Sequence, residues 1–301
     1  VSMIDLKIKT LLTVAEEKNF TKAANKLNLT QPAVSHQIKE LEDELQEQLF
    51  IRKKGDIIPT PIGDIVLNYA RKFVAMHNKM IDDIKHNHKI NIKLGITHTA
   101  ESNKITEIIG SYLINNPGIS VTIITDTTNN LYKMVENYEL DLAIVDNKKN
   151  IKLNYLPLDT DYLVCVVNNN SPLAKKKIVT LKELKKENLI LRLDSSYTRK
   201  LFESTLESIN ESINSFKVIL ELDNIETIKD LIRKDIGVSI LAKNTCMDEV
   251  NRKKLTILPI ENLSMIRKNY IIYTDYFNYI HNVKELVNHY NKEMNIKIDN
   301  V

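Results

Sequence analysis

The sequence predicts an α/β protein in two parts, a small helix-rich module at the N-terminus and a larger alternating region behind it. Three observations carry this. Short helical patterns with cap and proline signals fill the first sixty residues. One much longer helical pattern follows, from Pro61 to about His86. From Ile92 onward, short apolar runs alternate with helical stretches. A length of 301 residues accommodates about two folding units of ~150 residues each. With 43% hydrophobic and 27% charged residues, the composition is globular. The net charge of +3 neither demands nor excludes a nucleic-acid partner, so the placement of charge has to decide.

The bulk features also exclude several classes. The two cysteines, Cys165 and Cys246, have no CxxC spacing, which argues for a reducing compartment and against a disulfide framework or a zinc site. Cys165 alternates within an apolar strand and reads as core. The seven histidines do not cluster at metal spacing. GxGxxG, Walker, HExxH and GxSxG signatures are absent, so neither an enzyme nor a cofactor is expected. No apolar run reaches the ~18 residues of a membrane span, and no signal-peptide core precedes the first charges. The expected location is the cytoplasm.

In the first module, Asp5 is placed to cap one helix, with Ile8, Leu11, Leu12 and Ala15 at helical spacing. Thr21 is placed to cap a second, with Ala23, Ala24 and Leu27 facing inward. Thr30 caps the third, and Pro32 falls in its first turn, where a missing N–H has no intrahelical partner to lose. Val34, Ile38, Leu41 and Leu45 form one buried stripe on that helix. Pro32, Ser35, His36 and Lys39 fall on the opposite face, with Gln31 at the N-terminus, and offer groups able to meet base edges or phosphates. Residues 18–39 carry Lys18, Lys22, Lys26 and Lys39 and no acid; acidic residues begin at Glu40. Arg52, Lys53 and Lys54 return basic charge before a Gly55-Asp56 turn between two short strands, a basic wing beside the helix. Periodicity alone fits an ordinary helical subdomain with a solvated polar face equally well.

The motifs decide between these. NFTKAANKLNLTQPAVSHQIKELEDELQEQLFIRKKGDIIPTPIG, residues 19–63, closely resembles the winged helix–turn–helix of LysR-type transcriptional regulators. The matching elements, in order and with unbroken spacing, are Phe20-Thr21, Ala23-Ala24, Leu27, Thr30-Gln31-Pro32-Ala33, Ser35, Leu41-Glu42, Leu49-Phe50, Arg52, Thr60 and Gly63. The resemblance implies that Thr30, Gln31, Pro32, Ser35, His36 and Lys39 face double-stranded promoter DNA. It places Arg52, Lys53, Lys54 and Thr60 near the DNA backbone. His36 stands where the family usually has arginine, so site preference or salt dependence is expected to depart from the norm.

In the long helix, Ile62, Val66, Tyr69, Phe73, Met76 and Met80 are spaced four, three, four, three and four, a heptad-like seam. Such a stripe either lies on its own domain's core or pairs with a second copy. The pairing reading matches the dimerising linker helix of the family, and implies a homodimer or a homotetramer of two dimers.

Beyond residue 91, the runs 92–96, 120–125, 141–145, 162–167, 189–193, 216–222, 237–241 and 269–273 read as buried strands, mainly parallel. Helical stretches fall at 101–115, 180–187, 198–210, 226–234 and 277–293, and NNPGIS and ILPIEN read as turns. Gly95 and Thr99, Asn116-Pro117, Leu140-Asp141-Leu142, Thr198-Arg199 and Gly237 to Leu241 are landmarks similar to those of the family's effector-binding domain, whose fold resembles periplasmic binding proteins. The expected organisation is a DNA-binding domain at 1–61, a linker helix at 62–89 and a two-lobed effector domain at 90–301. Lobe one takes 90–164 and 268–301, lobe two 165–267. Helix N-termini at 95–102 and 193–199 suit a small carboxylate or phosphate. They bring Thr97, His98 and Thr99 in one lobe toward Ser195, Ser196 and Thr198 in the other, with Asp126 and Asn224 at further strand ends. Plain capping and turn chemistry is the alternative for each. The glycine often found between the residues at 196 and 198 in related proteins is Tyr197 here, so the pocket is expected to be smaller or differently shaped.

The resemblance implies a small-molecule effector, anionic by the helix-terminus argument, that changes lobe packing, DNA bend and the recruitment of RNA polymerase. The alternative is an architectural, ligand-independent DNA-binding protein with a degenerate sensory domain.

Overall fold

The computed structural model describes residues 6–53, 56–85, 89–102, 104–149 and 153–294. Two compact units divide the chain, Val1–Ile90 with Glu136–Glu139, and Asn91–Val135 with Leu140–Val301.

The first unit is built from α1 (Leu6–Glu17), α2 (Phe20–Leu27), α3 (Gln31–Leu45), the strands β1 (Phe50–Lys53) and β2 (Asp56–Pro59), and α4 (Pro61–Lys85). Leu11 and Val14 of α1, Ala23 and Ala24 of α2, and Val34 and Ile38 of α3 meet in one core, closed by Leu49, Phe50, Ile57, Leu67 and Ala70. The two alanines let α2 approach its neighbours closely. Thr10 Oγ1 donates to Gln37 Oε1 at 2.6 Å, tying α1 to α3. Between α2 and α3, Asn28 takes the left-handed conformation at φ 55° and caps α2, a role asparagine tolerates. Thr30 caps α3 through Ala33 N, with Pro32 in the first turn, as the sequence predicts.

Three local expectations are corrected or fall outside the described residues. Asn19, not Thr21, caps α2: its side chain accepts from Thr21 N and Lys22 N, and Thr21 is already helical. The buried stripe of α3 stops early, because the helix outruns the small core beneath it; Leu41 is half-buried and Leu45 is 46% exposed. In the wing, Lys53 pairs with Asp56, so Asp56 is strand rather than turn, and Lys54 and Gly55 lie outside the described residues, as does Asp5.

Thr60 joins the wing to α4. Its hydroxyl accepts from Gly63 N at 2.9 Å and donates to the Gln48 carbonyl at 2.6 Å, while its own N–H reaches Leu49 O at 2.9 Å. That leaves no room above Gly63: a Cβ there would stand 2.1 Å from the Leu49 carbonyl oxygen, a backbone atom. Gly63→Ala is therefore expected to destabilise the N-terminal unit by about 1–3 kcal/mol, the usual cost of overpacking. An unchanged thermal midpoint for that unit contradicts this packing.

The second unit holds β3 (Ile90–Ile96), α5 (His98–Glu101), α6 (Ile105–Asn115), β4 (Ile119–Thr125), α7 (Thr128–Glu136), β5 (Leu142–Val145) and β6 (Asn154–Asn168). Next come α8 (Leu181–Leu184), β7 (Asn188–Arg192), α9 (Tyr197–Ser208), β8 (Lys217–Leu222), α10 (Ile225–Arg233) and β9 (Val238–Ala242). The last elements are α11 (Met247–Asn251), β10 (Leu255–Leu258), β11 (Ile266–Tyr273) and α12 (Ile280–Glu293). Their strands form one sheet in the order β4-β3-β5-β11-β6-β9-β7-β8, with β10 paired to β6.

The eight apolar runs are all strands, but the sheet is mixed rather than mainly parallel. β3/β5, β7/β8 and β7/β9 are parallel; β11 runs antiparallel to β5 and β6, and β6 antiparallel to β9 and β10. The cause is the pair β6 and β11, which stands in the sheet between β4-β3-β5 on one side and β9-β7-β8 on the other. β6 pairs β11 over Asn154–Tyr162 and then pairs β9 and β10 over Leu163–Asn168. The ILPIEN turn begins later than expected, since Ile257 and Leu258 belong to β10. The 101–115 helix is two, α5 and α6, and α7 is an additional one.

Alternation along β6 and its neighbours separates two cores. Leu163, Cys165, Val167, Leu189, Leu191 and Ile240 pack on the face covered by Phe202 and Leu206 of α9. Val164, Val166, Ile190 and Leu241 pack on the face covered by Ile225, Ile228 and Ile232 of α10. A third cluster, Leu131, Tyr132, Val135, Leu140, Ala143, Val145 and Ile272, holds α7 on β5 and β11. Cys165 and Cys246 are fully buried, and burial pushes each thiol up to about 12, which makes both inert core residues. No helix among the described residues is long and apolar enough to cross a membrane.

Candidate functional site

Two surfaces collect the residues singled out from the sequence. On α3, Gln31, Pro32, His36 and Lys39 are exposed together, with Thr30 exposed at the cap. Ser35 is half-buried between them and accepts a hydrogen bond from Gln31 Nε2 at 2.7 Å, which pre-orders the amide over the first turn. His36 Nδ1 lies 3.8 Å from Glu40, so its nearest charge is acidic. Arg52 and Lys53 lie on β1; Lys54 lies outside the described residues. The hydroxyl of Thr60 is committed to the α4 cap described above. Lys26 is spent on Glu16 and Glu17, each at 2.9 Å, which removes it from the basic run counted along the sequence.

Glu42 has a role that its place in an acidic run conceals. Its Oε1 accepts from Leu49 N at 2.7 Å and Phe50 N at 3.3 Å, fastening the start of the wing to α3.

Along α4, Val66 packs on the module's core beside Leu67 and Ala70. Ile62, Tyr69, Phe73, Met76 and Met80 are all exposed, Tyr69 by 69% and Phe73 by 56%. The seam thus has one anchored member and five outward ones.

The second surface is a small cleft in the C-terminal unit. It opens at the carboxyl ends of β3, β4, β5, β7 and β8, where strand–loop–helix junctions from both lobes converge, the usual position of ligand sites in such sheets. Thr97 caps α5 through Ala100 N, and Ser196 caps α9 through Arg199 N, so both hydroxyls orient helix N-termini that border the cleft. Thr97, His98, Thr99, Asp126, Ser195 and Ser196 line it. Thr198 is buried beneath, 3.4 Å from Arg267 Nη1. Asn224 caps α10 through Thr227 N, and its neighbour Asp223 lines the cleft instead. Tyr197, in place of the small residue, is half-buried in the wall. Burial raises the pKa of its phenol, and the Asp146 charge adds to this.

The strongest groups are two arginines that sequence reading passed over. Arg267 of β11 is 2% exposed; its Nη2 donates to Asp146 Oδ2 at 3.1 Å, and Asp146 Oδ1 accepts from Thr128 Oγ1 at 2.7 Å. Arg192, the last residue of β7, is also 2% exposed and lines the cleft. Its Nη2 donates to Asp223 Oδ1 at 2.8 Å, while its Nε and Nη1 are buried with no hydrogen-bond partner among the described residues. Burial pulls its pKa down against the hydrogen bond and charge of Asp223; from arginine's high starting value it stays charged. A buried guanidinium with unsatisfied donors facing a cleft is an arrangement completed by an acceptor, best of all an anion. His98 Nε2 stands 3.6 Å from Asp223 Oδ2, reaching from one lobe to the other. Among the described residues no group of three or more His, Cys, Asp or Glu is placed to hold a metal ion.

Comparison with known proteins gives family matches to both parts of the chain. A family model described as "Bacterial regulatory helix-turn-helix protein, lysR family" matches residues 7–64, and one described as "LysR substrate binding domain" matches residues 88–287. The "Probable RuBisCO transcriptional regulator" of Phaeodactylum tricornutum is 30% identical over 274 residues, 88% of this chain and 89% of that one. The regulatory domain of CcmR from Synechocystis PCC6803, solved in complex with 2-PG, superposes with a TM-score of 0.60 at 27% identity, covering 69% of this chain and 99% of that domain. A full-length OxyR from Pseudomonas aeruginosa shares the fold, with a TM-score of 0.62 at 19% identity over 94% of this chain and 96% of that one. A helix–turn–helix with an exposed polar α3 face, an effector-type α/β unit and family matches to both halves lead to one conclusion: the chain belongs to the LysR family of transcriptional regulators.

Proposed function

We propose that this LysR-family regulator is gated by a small anionic metabolite held at Arg192 in the interlobe cleft. The observation that carries the reading is that guanidinium, buried, lining the cleft, and short of partners at Nε and Nη1. The capped N-terminus of α9 adds backbone N–H groups and a positive dipole end. That the similar CcmR regulatory domain was solved in complex with 2-PG supports a small ligand for this unit.

The DNA-facing surface is Thr30, Gln31, Pro32, Ser35, His36 and Lys39, with the basic wing of Arg52, Lys53 and Lys54 beside it and Thr60 bracing the wing's base. The exposed seam of α4 pairs two copies, so that a homodimer, or a tetramer of two dimers, sets two α3 helices on successive major-groove faces of promoter DNA. Effector binding acts through a difference in affinity between two arrangements of the oligomer, which alters DNA bend and polymerase recruitment. The protein works in the cytoplasm, where its DNA is.

A screen of small carboxylates and phosphates by thermal shift tests the ligand half. A true effector stabilises the wild type by about 2.7 kcal/mol at a hundredfold excess over its Kd, and fails to stabilise Arg192→Gln. Equal stabilisation of both proteins refutes the assignment. For the DNA half, Ser35→Ala and Lys39→Ala weaken operator binding with the fold intact. Lys39→Ala also lowers the slope of log K against log salt by about 0.9, one phosphate contact. Unchanged affinity in both variants refutes the α3 face.

A further inference from the structure

We propose that Asp223 is a tethered competitor for the effector: its carboxylate holds Arg192 at the cleft, and an incoming oxyanion competes with it for the guanidinium. The inference rests on the reading of the cleft as an anion site and concerns what sets its threshold. A guanidinium presents two edges on which an oxyanion can be gripped at two points, Nε with Nη2 and Nη1 with Nη2. Nη2 belongs to both, and Asp223 Oδ1 holds it at 2.8 Å. Nη2 carries two N–H groups, one toward each edge, so Asp223 takes one edge and sets its negative charge beside the other, where it opposes a second anion; among the described residues Nε and Nη1 have no hydrogen-bond partner.

Asp223 is built to leave. Its side chain is 46% exposed, against 2% for its partner, and it sits in the loop between β8 and α10 rather than inside either element. Its other oxygen lies 3.6 Å from His98 Nε2 on the opposite lobe, so a displaced carboxylate keeps a partner there. The other acids of the cleft are committed elsewhere. Asp146 holds Arg267 and Thr128, and Asp126 Oδ1 accepts from Thr127 N and Asn130 Nδ2. Asp223 thus raises the concentration at which a carboxylate, sulfate or phosphate group occupies Arg192. The same displacement changes the link between the lobes, since the chain Arg192–Asp223–His98 is cut at its first member.

Sodium sulfate, whose charge does not vary between pH 6 and 8, is the probe, titrated into the full-length protein and read by thermal shift. Arg192→Gln supplies the baseline, because sulfate also acts nonspecifically and at the DNA-binding surface. The wild type shows a saturable rise in Tm that Arg192→Gln lacks. Asp223→Asn and Asp223→Ser reach half-saturation at about tenfold lower sulfate, the effect of removing one competing charge-assisted hydrogen bond. If the Asp223 variants need as much sulfate as the wild type, or more, while the Arg192 dependence holds, the competitor role is overturned and the anion site stands. If no protein shows Arg192-dependent binding, the anion site itself is wrong. If both Asp223 variants fail to fold, Asp223 is a structural support and the proposal falls.

Discussion

Phe73→Asp abolishes self-association while leaving the N-terminal core intact. The ring is 56% exposed at the middle of the α4 stripe, with Tyr69 and Met76 about one helical turn away and Met80 two turns away, and it lies outside the core cluster of its own unit. Burying one such ring is worth about 2 kcal/mol. A two-fold interface uses each residue twice, so about 4 kcal/mol is lost, roughly a thousandfold in dimer dissociation constant, before the cost of burying two carboxylates is counted. Sedimentation velocity at micromolar protein should show a monomer with wild-type helical content. A dimer that binds DNA normally means that α4 is not the seam.

Arg267→Ala costs about 3–5 kcal/mol in the C-terminal unit, because truncating one member of a buried ion pair strands the other. Asp146, 3% exposed, keeps the Thr128 hydroxyl as its side-chain hydrogen-bond partner among the described residues, and Thr198 loses its donor. The double variant Arg267→Met with Asp146→Leu recovers most of that loss, since apolar replacement of a buried pair is often neutral or better. Urea midpoints for the two proteins decide the matter. A double variant as unstable as the single would show that the arginine's packing, and not its charge, carries the cost.

The N-terminal module was legible in detail because its signals are local. Thr30 and Pro32 mark a helix start through the chemistry of the first turn, and that chemistry does not depend on the rest of the fold. Leu45 shows the limit: periodicity reports a stripe, not how far the core beneath it extends. The eight apolar runs were readable as strands, yet the first half of β6 was not, since Pro157, Asp159 and Asp161 break its apolar pattern. That half carries the antiparallel crossover, and so the mixed sheet was missed with it. Asp159 is nonetheless buried, bonded by Tyr290 of α12 and by Asn269 of β11, contacts that no sequence window brings together.

The cleft was half legible. Thr97 and Ser196 were visible as cap residues at strand–helix junctions. Arg192 was hidden by its company, a single arginine closing the apolar run NLILR, and was absorbed into the strand. A cation at the carboxyl end of a buried strand is itself a signal, as are Asp146 and Asp223, each standing just past a strand end. What no spacing shows is that Arg192 meets Asp223, 31 residues away, or that Arg267 meets Asp146 across 121.

Hydroxyl-radical footprinting of the full-length protein on the DNA bordering its own gene tests the central claim, that paired α4 helices present two α3 faces to one duplex. The account predicts two protected patches on the same side of the DNA, about one helical turn, or a whole number of turns, apart. Both should weaken together in Phe73→Asp. A single patch, or a two-patch pattern that survives Phe73→Asp unchanged, contradicts it.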